Sequence, residues 1–221
     1  KWYGASTGHR LTNAFVPPNT VPAQGFSDKT SAGTAAELTL DLGAATLSYL
    51  GSHRNYEHDT LANFYYRVAP SFALGVRQNF SGDYSQDSHE LRIATNGSGP
   101  LSAQAGLYYF REESDVVYRF RDLEMVGLPP YYVFPHGPTV ALSRAAFGQA
   151  TYSMSRALRL TAGARYTEDD KSRVGSTNFQ QTHDFNPATD FRLLNAASLD
   201  THKTTWRLGA EYDLSPSAFV Y

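Results

Sequence analysis

The 221-residue chain carries 19 Lys and Arg against 21 Asp and Glu, a formal net charge of −2, so nothing electrostatic points to a nucleic-acid partner. It holds no cysteine, which excludes disulfide frameworks, thiolate metal sites and a cysteine nucleophile. No run of about 18 apolar residues exists, which excludes a transmembrane helix but not a transmembrane β-barrel, whose strands are apolar only at alternate positions.

In chain order, "KWYGAS" at the start reads as the end of one strand. From Thr34, "TAAELTLDL" sets Thr34, Ala36, Leu38, Leu40 and Leu42 against Ala35, Glu37, Thr39 and Asp41, the two-residue period of a half-buried strand. After a turn at Gly43 to Ala45, Thr46 to Tyr56 alternates less cleanly. A long polar loop is expected from Glu57 to Tyr84. "SHELRIAT" then sets His89, Leu91 and Ile93 against Ser88, Glu90 and Arg92.

Past a turn at Asn96 to Pro100, "LSAQAGLYYF" puts Leu101, Ala103, Ala105, Leu107 and Tyr109 on one face. A second long loop is expected from Val116 to Val140. "AAFGQATYS" also alternates less cleanly, with Ala146, Gly148, Ala150 and Tyr152 assigned to one face and Phe147, Gln149 and Thr151 to the other. A turn at Met154 to Ala157 leads to "LRLTAGARYTEDDK", where Leu158, Leu160, Ala162, Ala164 and Tyr166 alternate with Arg159, Thr161, Gly163, Arg165 and Thr167. A third long loop is expected from Asp170 to Asp200. "TTWRLGAEYD" then sets Thr204, Trp206, Leu208, Ala210 and Tyr212 against Arg207, Gly209, Glu211 and Asp213. After a turn at Leu214 to Ser217, "SAFVY" supplies about half of another strand.

Short turns centred near residues 44, 98, 155 and 215 therefore alternate with long loops, the pattern of an outer-membrane barrel with short turns at one end. Loops of such length count against an ordinary compact domain. Tyr109, Tyr166 and Trp206 would form the outer aromatic belt, and Tyr152 and Tyr212 the inner one. Between the belts, Leu158, Leu160, Ala162, Ala164, Trp206, Leu208 and Ala210 would face lipid. Glu90, Arg92, Arg159, Arg165, Arg207 and Glu211 would face a polar lumen. A charge on the lipid face at mid-bilayer costs roughly 2–4 kcal/mol, which explains its absence there.

"SHELRIAT", "LSAQAGLYYFREE", "AAFGQATYSMSRALRLTAGARYTEDDK" and "TTWRLGAEYDLSPSAFVY", in that order, resemble the barrel of a TonB-dependent outer-membrane receptor from about Thr34 to Tyr221. The resemblance implies a 22-stranded barrel plugged by a separate domain, and active import of a scarce ligand such as an iron-siderophore complex, haem or cobalamin. It implies the outer membrane of a Gram-negative bacterium, with membrane lipid, a TonB-type energy-coupling protein reached through the plug, and a small-molecule ligand such as a metal chelate as partners. No plug or energy-coupling segment is recognisable, and any export signal would lie outside the sequence. The fold class expected is all-β: an antiparallel transmembrane β-barrel, here an internal fragment of about seven full strands and two partial ones, with 1–221 forming part of one barrel domain. A passive porin or small closed barrel is the rival reading, and a soluble β-sheet binding protein a third.

No phosphate loop, dinucleotide fingerprint, HExxH or GxSxG occurs, so neither an enzyme nor a cofactor is expected. His53 and His58 would straddle one hairpin top, as a shared metal site or, more simply, as solvated loop histidines. Glu168, Asp169 and Asp170 end a strand, either around a divalent ion or, more simply, where the strand meets water. The second long loop is the most ligand-like stretch. There Tyr131, Tyr132, Phe134 and His136 lie near Arg119 and Arg121, a combination that suits a conjugated or anionic ligand. Packing of these aromatics within the loop is the alternative.

Overall fold

The computed structural model describes residues 2–4, 25–69, 72–121 and 127–221, with side chains at 25–62, 77–121 and 127–221. The described residues form one antiparallel sheet of ten strands: β1 (Trp2–Gly4), β2 (Gly25–Asp41), β3 (Ala45–Ala69), β4 (Phe72–Thr95), β5 (Leu101–Arg121), β6 (Tyr131–Ser153), β7 (Leu158–Gln180), β8 (Phe191–Leu194), β9 (Ala197–Ser215) and β10 (Ala218–Val220). Neighbours in sequence pair in order from β1 to β7, then β9 and β10, and the sheet is open. β8 pairs with the same edge of β7 that β9 occupies lower down, and Asn195 N donates to Gly175 O between the two.

The short turns fall where the turn formers stand. Gly43 takes a left-handed φ of 81°, and its amide donates to Asp41 Oδ1 at 2.8 Å. At the next turn Asn96 spans back to Asp41 and to the Gly43 carbonyl. The last turn is tighter than expected, because β9 runs through Ser215 and leaves only two residues before β10.

The expected long loops are mostly strand. β3 runs 25 residues and β4 24, paired from Ala45↔Thr95 up to Ala69↔Phe72. β5 and β6 likewise extend to Arg121 and from Tyr131, and β7 to Gln180. At about 3.3 Å per residue, β3 is roughly 80 Å long, far beyond the ~25 Å apolar band of an outer-membrane barrel. The physical reason is that the distal halves keep their β-formers (Tyr, Phe, Val, Thr) and their ladder hydrogen bonds while losing apolar alternation. The three carboxylates at 168–170 thus lie inside β7, with Glu168 and Asp170 on one face and Asp169 on the other. His53 and His58 both lie in β3, again on opposite faces, which rules out a metal shared between them.

The described residues form a single layer. Among the described residues only Val116, Val133 and Ala145 are buried apolar side chains, whereas Trp206 and Leu208 are each 73% exposed.

Candidate functional site

Directly opposed residues of an antiparallel sheet point to the same side, so the register sorts the chain into two faces. One row runs Leu40↔Leu47↔Ile93↔Ala105↔Gly148↔Ala164↔Trp206, crossing every long strand without a polar residue. Leu158, Leu160, Ala162, Leu208 and Ala210 share this apolar face. The adjacent row on the other side runs Thr39↔Ser48↔Arg92↔Gly106↔Phe147↔Arg165↔Thr205. Glu90, Arg159, Arg207 and Glu211 lie on this polar face with Arg92 and Arg165. The sequence-derived lipid-facing and lumen-facing sets are thus each gathered on one side of the sheet.

Two cations on the polar face low in the sheet are paired. Arg159 donates to Glu211 at 3.1 Å and to both Asp213 oxygens at 2.7 and 2.8 Å, and Arg92 lies 3.3 Å from Glu90. Arg165 is held differently, over the rings of Tyr108 (5.4 Å) and Phe147 (5.7 Å), with its Nε donating to Thr167. A groove of about 270 Å³ runs between it and Arg207, floored by Gly148, Gly163 and Ala164 and walled by Phe147 and Gln149.

The six ligand candidates of the second loop divide between the faces. β6 carries a bulge: Thr139 pairs with Ser114 and His136 with Val116, so Gly137 and Pro138 together oppose Asp115 alone. That extra residue reverses the parity of β6. Even-numbered residues below it, such as Tyr152, lie on the apolar side, whereas Tyr132, Phe134 and His136 above it lie on the polar side. Proline suits this position because the bulge leaves a ladder amide unused. Arg119, Arg121 and Tyr131 stay on the opposite face. Arg119 donates to Asn79 and Ser81 there, and Tyr131 meets His183 edge-on.

What joins Tyr132, Phe134 and His136 is an aromatic ladder across six strands. Tyr56 lies against Tyr84 (centroids 5.6 Å apart), His58 against Phe80 (4.0 Å) and Phe80 against Tyr118 (4.1 Å). Tyr118 meets His136 edge-on, and Phe134 continues through Tyr132 (4.0 Å) and Phe179 (4.4 Å) to Phe191. Each such pair contributes about 0.5–1.5 kcal/mol beyond area burial. Phe120 lies against Tyr132 (6.3 Å) and Phe134 (6.0 Å). The Tyr56, Phe80, Tyr84, Tyr118, Phe120, Phe179 and Phe191 rungs escaped the sequence reading. Their signal was the two-residue spacing of Tyr56 with His58 and of Tyr118 with Phe120 inside otherwise polar stretches.

Burial shifts two of these groups. His58, 7% exposed, is held below the usual histidine range by desolvation and then by Lys29, its partner across β2 and β3. Burial, then Tyr118, Tyr56 and Glu112, push the Tyr84 phenol up. Among the described residues no three His, Asp or Glu side chains converge on a point that could hold a metal ion.

The family described as TonB dependent receptor-like, beta-barrel matches residues 2–221. The chain belongs to this family. Members of the TonB-dependent receptor family are outer-membrane barrels of Gram-negative bacteria and act as transport receptors rather than enzymes. Among solved structures, this receptor barrel resembles the ferric yersiniabactin uptake receptor FyuA of Yersinia pestis, with a TM-score of 0.69 and 15% identity over 87% of this chain and 27% of that one. It also resembles the ferric-catecholate import receptor Fiu of E. coli K12. The closed form gives a TM-score of 0.55 and 10% identity over 86% of this chain and 32% of Fiu; the open form gives 0.54 and 10% over 96% and 38%. The chain thus spans about a third of the length of these receptors, and at such identities the likeness is one of fold. No curated protein matches the sequence.

Proposed function

We propose that the chain is part of the barrel of an outer-membrane receptor that actively takes up a scarce metal chelate. Its apolar face is wetted by lipid, and its polar face lines the lumen. The full stretch 1–221 belongs to one barrel domain, and energy comes from a TonB-type protein acting through a plug.

The observation that carries this reading is the placement of the aromatic ladder. It lies on the polar face, in strand halves that extend well beyond the apolar rows, where an incoming solute would meet stacking surfaces before the lumen. The proteins it resembles in fold import ferric yersiniabactin and ferric catecholates, which supports a ferric chelate over haem or a cobalamin-like ligand. Arg119, Arg121 and Tyr131, on the opposite face, are left out of the ligand surface, whereas Tyr132, Phe134 and His136 stay in it.

The test is growth of a deletion strain on single iron or vitamin sources. Loss of growth on one class of ferric chelate, restored by the intact gene and not by a Tyr132→Ala/Phe134→Ala version, is the expected result. Unchanged growth on ferric chelates, haem and cobalamin alike would overturn the reading.

A further inference from the structure

From Arg165 upward on β7 and from Arg207 upward on β9 the two faces carry opposite charge. The polar face presents Arg165, Lys171, Arg173, Lys203 and Arg207 against a single carboxylate, Asp169. The other face presents Glu168, Asp170 and Asp200 and no lysine or arginine, with Asp170 directly opposite Asp200. A solvated surface would interleave the two signs, since like charges in register repel.

The register gives none of these cations an acidic partner directly across a strand, and Asp169 is their one carboxylate neighbour, a step along the face from Lys171. Across β9, Arg165 faces Thr205, Lys203 faces Thr167, Lys171 faces Leu199, Arg173 faces Ala197 and Arg207 faces Gly163. Across β6, Arg165 faces Phe147, Lys171 faces Ala141 and Arg173 faces Thr139. Every cross-strand partner is neutral, in contrast to Arg159 a few residues below, which is gripped by Glu211 and Asp213. Among the described residues, Lys171, Arg173, Lys203 and Arg207 make no ion pair.

The strip is continuous with the aromatic ladder. Arg173 lies two residues before Gly175, the partner of His136, and β7 goes on to Phe179 beneath Tyr132. From Arg173 the cations descend about 27 Å along the strand, at about 3.4 Å per residue, to Arg165 on its aromatic seat. A wall of one sign focuses the field and raises the local concentration of the opposite ion, with on-rates raised by 10–10³.

We infer that this face of β7 and β9 is a cationic track that makes uptake selective for anionic metal chelates, carrying them from the aromatic ladder toward the lumen. The inference rests on the uptake reading above and adds the charge of the cargo.

Two probes of different charge separate the two ideas: a trianionic ferric tris-catecholate and a neutral ferric tris-hydroxamate. Initial uptake of each is measured in cells carrying the protein in their outer membrane, at low and at physiological salt, with surface abundance quantified. The wild type is expected to take up the anionic chelate preferentially, less so as salt rises. A Lys171→Gln/Arg173→Gln/Lys203→Gln variant should lose about tenfold of that rate. Glu substitutions at the same positions should lose more. An Asp170→Asn/Asp200→Asn control should keep the wild-type preference. Equal uptake of both chelates by the wild type, or equal loss of both in the Gln variant, would overturn the track while leaving the uptake reading in place. Uptake of neither by the wild type would overturn both.

Discussion

The His58 ring lies with its centroid 4.0 Å from that of Phe80, and neither imidazole nitrogen has a hydrogen-bond partner among the described residues. An imidazole can be left so only while neutral, because burying an unpaired charge is far costlier than burying an unpaired polar atom. Its folded pKa is lowered from 6.5, so the contribution to stability is present above that value and is lost as pH falls from 6.5 through the folded pKa. We expect the melting temperature of the detergent-folded protein to fall between pH 7 and 5. His58→Phe, which keeps the stack, should remove most of that fall. A variant with the wild-type acid profile would show that His58 does not set it.

Gly137 stands where a side chain would collide with Asp115: a Cβ there would come within 2.7 Å of the Asp115 Cα. Gly137→Ala must therefore displace backbone, at a cost of about 1–3 kcal/mol by the usual penalty for overpacking. Deleting Pro138 is the more telling change. It removes the extra residue while Gly137 still opposes Asp115 and His136 still opposes Val116, so Tyr132 and Phe134 should keep the polar side and Val133 the opposite one. A Tyr132→Cys/Phe120→Cys pair, directly opposed across β5 and β6, should then still oxidise to a disulfide, and a Tyr132→Cys/Arg119→Cys pair should not. Crosslinking of the second pair in place of the first would mean that losing the extra residue slips the register and turns the ladder.

The parity switch also marks where sequence reading stops. Within the apolar rows one face is apolar at every alternate position, so Leu158 to Tyr166 or Trp206 to Tyr212 can be oriented by inspection. Above those rows the apolar alternation disappears, and "HDTLANFYYRVA" after Glu57 looks like a loop although it is strand. The facing of Tyr132, Phe134 and His136 depends on one extra residue in a register that only the paired strand defines. β8 depends on the contact of Phe191 with Phe179, two residues joined by no local pattern.

Asp190 organises the connection between β7 and β8. Its carboxylate accepts from the Asn186 amide at 2.7 Å, the Gln181 amide at 3.0 Å and the Thr189 hydroxyl at 3.0 Å, and the two amides hold it below the usual carboxylate range. The depressed pKa makes this contribution present above 3.8 and lost as pH falls through the folded value. Asp190→Ala at neutral pH should imitate that loss. Chymotrypsin cleavage after Phe185, whose ring lies 3.6 Å from the Arg192 guanidinium, should accelerate several-fold while the melting temperature of the sheet is unchanged. Equal cleavage rates would show that the loop is held by something else.

Leu208 and Gly209 are neighbours in β9 that the pleat turns to opposite sides, Leu208 beside Ala162 and Gly209 beside Thr161. Leu208 is largely exposed, and a Cβ built at Gly209 meets nothing within 4 Å, so neither position is sterically closed to a long side chain. Arginine at each therefore compares the two surroundings with little steric difference. If hydrocarbon covers the Leu208 side, Leu208→Arg should cost roughly 2–4 kcal/mol in unfolding from lipid vesicles. Gly209→Arg, added to the polar face beside Arg207 and Glu211, should then change stability by less than about 1 kcal/mol, because its charge would stay in water. Similar costs at both positions would mean that the two faces see the same medium, and the assignment of lipid and lumen would fall with them.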